Sequence, residues 1–312
     1  VPALHSFPRF AADWQRLNGQ YHCGHPLLDA RFVQTLLQHF GKANTYLAIG
    51  GHRDEPKALL LVEPWRLGIW RTFVPSQCQI APMQLGEAGA TSLSGLLGAL
   101  PGRALALQLL CQDPQYSAAL RVAQNAPLWD VQPHAVTMSV RIGGDWPRYW
   151  RTRSRSLRKN VRNSLNRTRA EGLSLDMSIA GEPDQIVPAI HRYGELESAG
   201  WKNALGTALH PSNVQGRFFE DLMVAFAQSG DATVYEMHHQ SRLVSSRLLL
   251  RNQSMSVILK TTFDEAYARY AVGRTLLLNL LMHSAGTDPD RVIEFYTNAS
   301  PEQLAWSTEQ RT

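Results

Sequence analysis

The chain has 312 residues, a net charge of +5 and a mean hydropathy of -0.24, values typical of a soluble globular protein with room for two domains. Its three cysteines lie far apart without C-x-x-C spacing, which argues against a disulfide framework and a four-thiolate zinc site and favours a reducing cytoplasm. No apolar run approaches the ~18 residues that span a bilayer, and the start of the chain lacks a signal-peptide pattern. We therefore expect a cytoplasmic protein without a membrane span.

The first half of the chain shows helical and strand patterns in alternation. Their approximate ranges are a helix at 27–40, strands at 45–49, 57–63 and 70–74, a helix at 86–102 and a strand at 104–110. His22 and His25 lack further ligands at a metal-binding spacing, so we expect no metal site there. We interpret this half as scaffold or as one wall of a cleft.

A strongly basic segment follows at residues 145–171. It carries nine arginines and lysines between Asp145 and Glu171, with no carboxylate among them. Leu157, Val161 and Leu165 recur at helical spacing, which predicts a helix with one packed face. This helix is either a solvated linker or an electrostatic guide for an anionic partner, namely cofactor phosphates, a nucleic acid or lipid headgroups. The aromatic residues precede the helix, which disfavours base stacking on its basic face.

The second half begins with a strand pattern and two helical patterns, and continues with a three-stranded meander. The predicted ranges are a strand at 173–179, helices at 186–196 and 214–227, strands at 232–239, 242–251 and 254–262, a helix after 272 and a strand at 291–297. The meander and the helix that follows it are joined by a short polar segment, residues 263–272, which we interpret as a loop.

The stretch 254–285 combines the last strand of the meander with this loop and helix. Strict alternation predicts that Met255, Val257 and Leu259 face one side of the strand, and that Ser256, Ile258 and Lys260 face the other. A polar loop with an arginine, followed by a glycine at a helix start, can bind an anion through free N–H groups and the positive end of the helix dipole. An ordinary connection between a strand and a helix has the same sequence features.

Three motifs stand out in the second half and just before it: RSRSLRKNVRNSLNR before Gly172, Gly-Trp-Lys at 200–202 with Gly-Thr-Ala-Leu at 206–209, and the run Lys260-x3-Asp264-Glu265-x3-Arg269-Tyr270-x2-Gly273. With these motifs and this element order, the second half resembles the GNAT acyltransferase fold, and specifically the CelD/BcsL-type acetyltransferases, relatives of the FemAB peptidyltransferases. The resemblance implies an α/β (α+β) tandem GNAT-like fold, with mixed, mainly antiparallel sheets flanked by helices. Its domains would be a degenerate GNAT-like domain at 1–144, an Arg-rich linker helix at 145–171 and a GNAT domain at 172–312.

The resemblance also implies N-acyl transfer, most simply acetyl transfer, from acyl-CoA to an amine of a small molecule or of a cell-envelope or polysaccharide precursor. The residues expected to bind the cofactor are Arg269, Val272, Gly273, Arg274 and Thr275. The catalytic candidates are Asp264, Glu265 and Glu294, because an attacking amine must lose a proton to a base, and Lys260, which could orient an acidic acceptor or the thioester carbonyl. The acceptor side is expected to include Trp201 and Lys202.

The residues leave other interpretations open. Asp264 and Glu265 could instead form an acidic loop that pairs with Arg269, Lys260 could be a surface lysine, and Trp201 could only pack. Two alternative functions also follow. A Fem-like aminoacyl transferase would take its donor from charged tRNA, with the basic segment gripping RNA. A catalytically inactive binding protein would explain why Ala271-Val272-Gly273 stands where the family has Ser-Pro-Gly.

Overall fold

The computed structural model describes residues 1–91, 93–123, 128–199, 209–210, 212–289 and 291–312. Contacts divide the chain into two compact units, Val1–Val136 with Arg311–Thr312, and Thr137–Gln310. The basic segment 145–171 lies within the second unit, where it forms two helices. Within the described ranges, no helix combines the length and the apolar content needed to cross a bilayer.

The first unit contains a mixed sheet with helices on its apolar faces. Its elements are α1 (Ala3–His22), α2 (Ala30–Phe40), β1 (Tyr46–His52), β2 (Glu55–Arg66), β3 (Ile69–Thr72), β4 (Met83–Leu85), α3 (Glu87–Thr91), α4 (Leu93–Ala99), β5 (Ala106–Gln108) and α5 (Ala118–Ala123). The strand order is β1-β2-β3-β5, with β4 also paired to β2, and only the β3–β5 pair of this sheet is parallel. Helix α1, which we did not predict, buries Phe7, Trp14 and Leu17 in the core.

The second unit is built on a seven-stranded sheet. Its elements are β6 (Thr137–Val140), α6 (Trp146–Thr152), α7 (Arg155–Ala170), β7 (Asp176–Ala180), α8 (Pro183–Ala199), α9 (Val214–Ala227), β8 (Ala232–His239), β9 (Arg242–Arg251), β10 (Met255–Phe263), α10 (Val272–Thr287), β11 (Val292–Phe295), α11 (Pro301–Leu304) and β12 (Glu309–Arg311). The strand order is β12-β6-β11-β10-β9-β8-β7. The predicted loop before α10 is instead a 3-10 helix, Glu265–Tyr270, because Asp264 caps it by accepting a hydrogen bond from the Ala266 N–H.

The two units share one connectivity. Each has two helices, then three consecutive antiparallel strands, then a crossover that contains helix and leads to a strand paired in parallel with the third strand. These strands are β1-β2-β3-β5 in the first unit, where the crossover also contains β4, and β8-β9-β10-β11 in the second. A helix is the usual connection between adjacent parallel strands. The predicted fold class, mixed sheets flanked by helices in a tandem GNAT-like arrangement, is confirmed.

The beginning and the end of the second unit lie side by side. The Thr308 N–H donates to the Ser139 carbonyl at 2.9 Å, and the Arg141 N–H donates to the Thr308 hydroxyl oxygen at 2.9 Å. The Tyr149 hydroxyl donates to the Trp306 carbonyl at 2.7 Å. These bonds tie the first strand and first helix of the unit to its last turn.

Candidate functional site

Strands β10 and β11 are parallel but pair over only a short length. Their register runs from Met255 opposite Val292 to Val257 opposite Glu294. Beyond that point β10 continues to Phe263 against β9, while Phe295 of β11 pairs with Met138 of β6. In the described part of the chain, the later half of β10 therefore has a backbone edge that β11 does not cover. Such an edge can hydrogen-bond an extended ligand.

A β-bulge in β10 changes which side chains share a face. Ile258 pairs with Leu249, but Lys260 pairs with Leu248, so Leu259 is an extra residue in the ladder. One extra residue reverses the alternation that follows it. The predicted alternation is therefore wrong beyond Ile258, and Lys260 faces the same side of the sheet as Val257.

On this face Lys260 forms a buried ion pair with Glu197 of α8. The Lys260 ammonium lies 3.1 Å from the Glu197 carboxylate, and the two side chains are 16% and 0% exposed. The same carboxylate accepts hydrogen bonds from the Leu209 N–H at 2.8 Å and the Tyr193 hydroxyl at 3.3 Å. Burial, with a smaller effect of the Glu197 charge, raises the pKa of Tyr193 well above its usual value. The alternative of Lys260 as a surface lysine is therefore wrong.

Sequence reasoning missed Glu197, although a signal was present. Helix α8 buries Ile186, Ile190 and Tyr193 on one side, and Glu197 continues that same stripe four residues after Tyr193. A carboxylate on the apolar stripe of a helix predicts a buried partner.

Glu294 also faces this side of the sheet. It is buried, with 1% of its surface exposed, and it stands opposite Val257 on one neighbouring strand and Ser139 on the other. Because Val257 and Lys260 share a face after the bulge, Glu294 lies on the Lys260 side, where β10 and β11 stop pairing. The register thus brings two of the predicted catalytic residues to one face of the sheet.

The other two acidic candidates lie at the start of the 3-10 helix. Asp264 forms an ion pair with Arg242 at 2.6 Å in addition to its capping bond, and Glu265 is exposed in the first turn. The predicted alternative, in which this acidic pair binds Arg269, is wrong for Asp264 because the Arg242 side chain engages its carboxylate.

Arg269 pairs instead with a residue at the end of α7. Its guanidinium lies 2.7 Å from the Glu171 carboxylate, hydrogen-bonds the Tyr270 hydroxyl and lies over the Tyr270 ring. The Tyr270 hydroxyl donates to Glu171 at 2.6 Å, which raises the pKa of Tyr270 because ionisation would break that bond. Arg274 similarly pairs with Glu302 at 2.6 Å.

Helix α10 begins without a side-chain cap. Its N-cap residue is Ala271, which has a left-handed backbone with φ of 52° and makes no side-chain capping hydrogen bond. Val272 and Thr275 are buried in that turn. A Cβ added to Gly273 would meet its nearest atom at 3.7 Å, an ordinary contact distance. An uncapped helix start keeps free N–H donors and the positive end of its dipole.

A buried guanidinium reinforces this positive end. Arg247 of β9 is 8% exposed, and its Nη atoms donate to the Thr261 hydroxyl at 3.1 Å and to the Gly273 carbonyl in the first turn of α10 at 3.2 Å. Its Nε has no partner among the described residues. Burial lowers the pKa of Arg247 to about 10, because a low-dielectric site disfavours the charged form. Arg247 was missed in the sequence, where its position within an apolar strand was the available signal.

The two predicted acceptor-side residues, Trp201 and Lys202, lie outside the described residues. The described chain nevertheless includes both helices that flank them, α8 and α9. The Phe219 ring of α9 lies 5.3 Å from the Lys260 ammonium. The buried ion pair is therefore lined by both helices.

Comparison with known families gives a match, which falls in the second unit. A sequence model of the acetyltransferase (GNAT) domain matches residues 155–303. These residues are similar in sequence to GNAT acetyltransferase domains. The bulged strand, the uncapped helix and the buried Lys260–Glu197 pair all lie within the matched residues. No curated protein sequence matches the chain, and its more specific predicted kinship with CelD/BcsL-type enzymes stays a prediction.

Solved structures share the fold of both units. FemX superposes with a TM-score of 0.56 at 12% identity, covering 96% of this chain and 93% of FemX. A conserved protein of unknown function from Bacteroides thetaiotaomicron gives a TM-score of 0.57 at 10% identity, covering 99% and 96%. The C-terminal domain of an Agrobacterium fabrum protein described as a lysylphosphatidylglycerol synthetase gives 0.54 at 13% identity, covering 91% and 78%. Similarities at these identities establish a common fold.

Proposed function

We propose that this protein is an N-acyltransferase that moves an acyl group, most simply acetyl, from acyl-CoA to an amine. The observation that carries the proposal is Arg247. A buried guanidinium beside the positive end of an uncapped helix is electrostatically unfavourable by itself. An anion bound at the start of α10 would compensate both the guanidinium charge and the positive end of the helix dipole. The pyrophosphate of CoA is such an anion.

The residues at the start of α10 fit a pyrophosphate. The N–H groups of Val272 and Gly273 would donate to it, as helix starts do for phosphate. Arg269 and Arg274 belong to exposed or half-exposed ion pairs, which can exchange a carboxylate for a phosphate at little cost. Thr275 would support the turn through the hydrogen bond from its hydroxyl to the Ala271 carbonyl at 3.3 Å.

The uncovered edge of β10 would bind the pantetheine arm. Acyl-CoA supplies a thioester carbonyl that an amine can attack. The backbone N–H groups that follow the bulge would stabilise the negative charge that develops on that carbonyl oxygen. The carbonyl would then lie on the face that carries Lys260 and Glu294.

Among the predicted bases, we favour Glu294, directly or through a water molecule, to accept the proton of the attacking amine. It is buried where the two strands separate, whereas Asp264 is held by Arg242 and by its capping bond. Lys260, fixed by Glu197, would orient the acceptor. Trp201 and Lys202 remain proposed acceptor contacts, and the acceptor itself is proposed only as an amine of a small molecule or of a cell-envelope precursor.

Calorimetric titration with CoA tests the proposal. We expect low-micromolar binding that weakens roughly tenfold, about 1.4 kcal/mol, in Arg247→Met, because the buried charge is lost. Arg251→Met is the matched control, because Arg251 lies on the same strand but is exposed. Pantetheine, which lacks the pyrophosphate, should not distinguish these variants. If CoA does not bind and aminoacyl-tRNA binds with a steep salt dependence, the Fem-like alternative replaces this proposal; if neither binds, the inactive binding protein does.

A second pair of variants locates the cofactor. Arg269→Ala should weaken CoA binding more than Arg158→Ala, because Arg269 lies beside the first turn of α10 and Arg158 lies on α7. The dissociation constants from the same titration decide this order. The reverse order would move the phosphate site to the basic helix.

A further inference from the structure

Helices α6, α7 and α10 enclose an open groove that the proposed chemistry does not use. Its volume is about 510 Å³. Its floor is apolar and its edge is polar, with the lining residues Trp146, Trp150, Val161, Leu165, Leu278 and Met282 on the floor and Arg158, Arg162, Asn166 and Arg169 at the edge. The groove therefore has the two-sided chemistry of a site for an amphiphile.

The arginines at the edge of the groove have no carboxylate partner in the described chain. Arg158, Arg162 and Arg169 form no ion pair with any described residue, and the Nε of Arg158 is buried without a hydrogen-bond partner. Helices α6 and α7 contain no Asp or Glu. Elsewhere in the same unit, Arg192, Arg242 and Arg291 each pair with a carboxylate. The positive charge of these arginines is therefore available to bind an anion from outside the chain.

The edge arginines follow one line along α7. Arg158, Arg162 and Arg169 recur at i, i+4 and i+11, so they share a helix face. At 1.5 Å per residue this line is about 16.5 Å long. Leu157 and Val161 on the neighbouring face are buried, which fixes the helix with its cationic line outward. The line is long enough to meet several anionic groups at once.

The floor contains exposed apolar surface beside these cations. Trp146 and Trp150 stack on each other, with ring centroids 5.5 Å apart and an interplanar angle of 15°. Met282 of α10 is 46% exposed. Tryptophan beside cations and exposed aliphatic side chains is the pattern of proteins that bind at the boundary of a bilayer.

We propose that this groove docks the protein on a membrane surface that contains anionic phospholipid. The arginine line binds headgroup phosphates, for which guanidinium has bidentate donor geometry, and the floor receives part of an acyl chain. This inference goes beyond the proposed transfer reaction and does not rest on it.

The composition of the groove favours lipid over nucleic acid. The predicted separation of the aromatic residues from the basic face is wrong, because the tertiary fold brings Trp146 and Trp150 beside the arginines. These rings nevertheless stack on each other, and the rest of the floor is aliphatic. Recognition of a nucleic-acid base needs a free aromatic face and hydrogen bonds to the edge of the base. Of the lining residues, Asn166 is the one whose uncharged amide could form such bonds.

Co-sedimentation with vesicles tests this inference on the full chain. With vesicles of roughly one-third phosphatidylglycerol in phosphatidylcholine, we expect binding that Arg162→Gln/Arg169→Gln weakens roughly thirtyfold, or about fivefold per arginine. The charge-matched control is Arg53→Gln/Arg103→Gln, which removes two exposed arginines of the first unit and should leave binding unchanged. Met282→Glu should also weaken binding, whereas Met282→Leu should preserve it, which separates the floor from the charge.

Three results would overturn the inference. If the wild type bound pure phosphatidylcholine vesicles as tightly as those with phosphatidylglycerol, the arginines would not recognise anionic headgroups. Loss of vesicle binding on saturation with CoA would assign the groove to the cofactor. Tighter binding to a single-stranded RNA oligonucleotide, abolished by the Arg162/Arg169 variant, would assign it to nucleic acid. CoA titration of the same variants keeps this test separate, since vesicle binding without CoA binding contradicts only the proposed function.

Discussion

The two units share a strand order but differ in what their second strand buries. In β2 of the first unit, the run Leu59–Val62 is apolar and buried. In β9 of the second unit, the corresponding central strand buries Ser245, Ser246 and Arg247 beside its leucines.

Strand β2 also buries a charged residue, Glu63, but Arg71 and Lys42 pair with its carboxylate. Arg247 has no such ion pair among the described residues. Because a buried charge costs free energy unless it is satisfied, this difference supports the proposed anion site in the second unit.

The first α-helix of the crossover between the third strand and its parallel partner also differs between the two units. In the first unit α3 has five residues and Glu87 in its first turn. In the second unit α10 has 16 residues, no acidic residue in its first turn and Arg247 against that turn. A carboxylate at a helix start occupies the positive end of the dipole and repels an anion. The comparison therefore predicts that the second unit alone binds phosphate at this position.

The largest expected effect concerns the buried pair of the second unit. Lys260→Met leaves the buried carboxylate of Glu197 without its ammonium, which should cost about 3–5 kcal/mol. Arg71→Met in the first unit should cost far less, because Glu63 keeps Lys42 at 3.6 Å. Hydrogen exchange measured by mass spectrometry reports the two units separately. Equal losses would contradict the comparison, and Lys260→Met/Glu197→Gln should recover most of the stability.

A pH effect is expected in the first unit. Burial lowers the pKa of His22 from 6.5 to about 4 and that of His25 to about 3. Because the unfolded chain binds protons first, this stabilisation is complete above pH 6.5 and is lost as the pH falls towards 4. The loss from His22 is about 3 kcal/mol at 1.36 kcal/mol per pKa unit. Hydrogen exchange of peptides from the first unit measures it.

His22→Gln is the control for this effect. It removes one of the two titrating groups and should reduce the pH dependence of the first unit to the part that His25 causes, while leaving that of the second unit unchanged. The same acid dependence in wild type and variant would show that the buried imidazole does not control it.

A smaller effect is expected where the backbone is left-handed. Ala271→Gly should stabilise the second unit by about 1 kcal/mol, because glycine adopts a positive φ without the steric cost of a Cβ. Gly68→Ala in the first unit, where φ is 73°, should have the opposite sign and a similar size. Denaturant unfolding of the two variants measures both signs. Unchanged stability in Ala271→Gly would mean that its strain is relieved by neighbouring contacts.

The smallest effect concerns two exposed ion pairs, Arg269–Glu171 in the second unit and Arg121–Glu87 in the first. Neither Glu171→Gln nor Glu87→Gln should change the free energy of unfolding measurably, because solvent screens such pairs. CoA affinity should rise a few-fold in Glu171→Gln alone, since this change releases Arg269. An equal rise in both variants would reflect net charge and not the site.

Much of the second unit could be predicted because its periodic patterns are long. The helix predicted at 214–227 is confirmed as Val214–Ala227, and the meander strands follow within a few residues. The bulge at Leu259 could not be predicted, because in a run of apolar residues the sequence does not show where the alternation of the strand shifts by one residue. Helix α1 could have been, since Phe7, Phe10, Trp14 and Leu17 recur at helical spacing, although Pro8 interrupts the pattern.

The site was less predictable than the fold because its partners come from distant elements. Glu197 and Lys260 are 63 residues apart in sequence and meet only through the packing of α8 on the sheet. The groove likewise combines α6 and α7 with α10, so no local pattern places its tryptophans beside its arginines.

The hydrogen bonds that join Ser139 and Arg141 to Thr308 hold the two ends of the second unit next to each other. A segment whose two ends touch can be cut out, inserted into another protein or rejoined in a new order without breaking its internal pairing. Residues 137–310 are therefore suited to circular permutation. A permuted gene that opens the chain at the exposed turn between β8 and β9 would keep the groove and the start of α10 on one uninterrupted polypeptide.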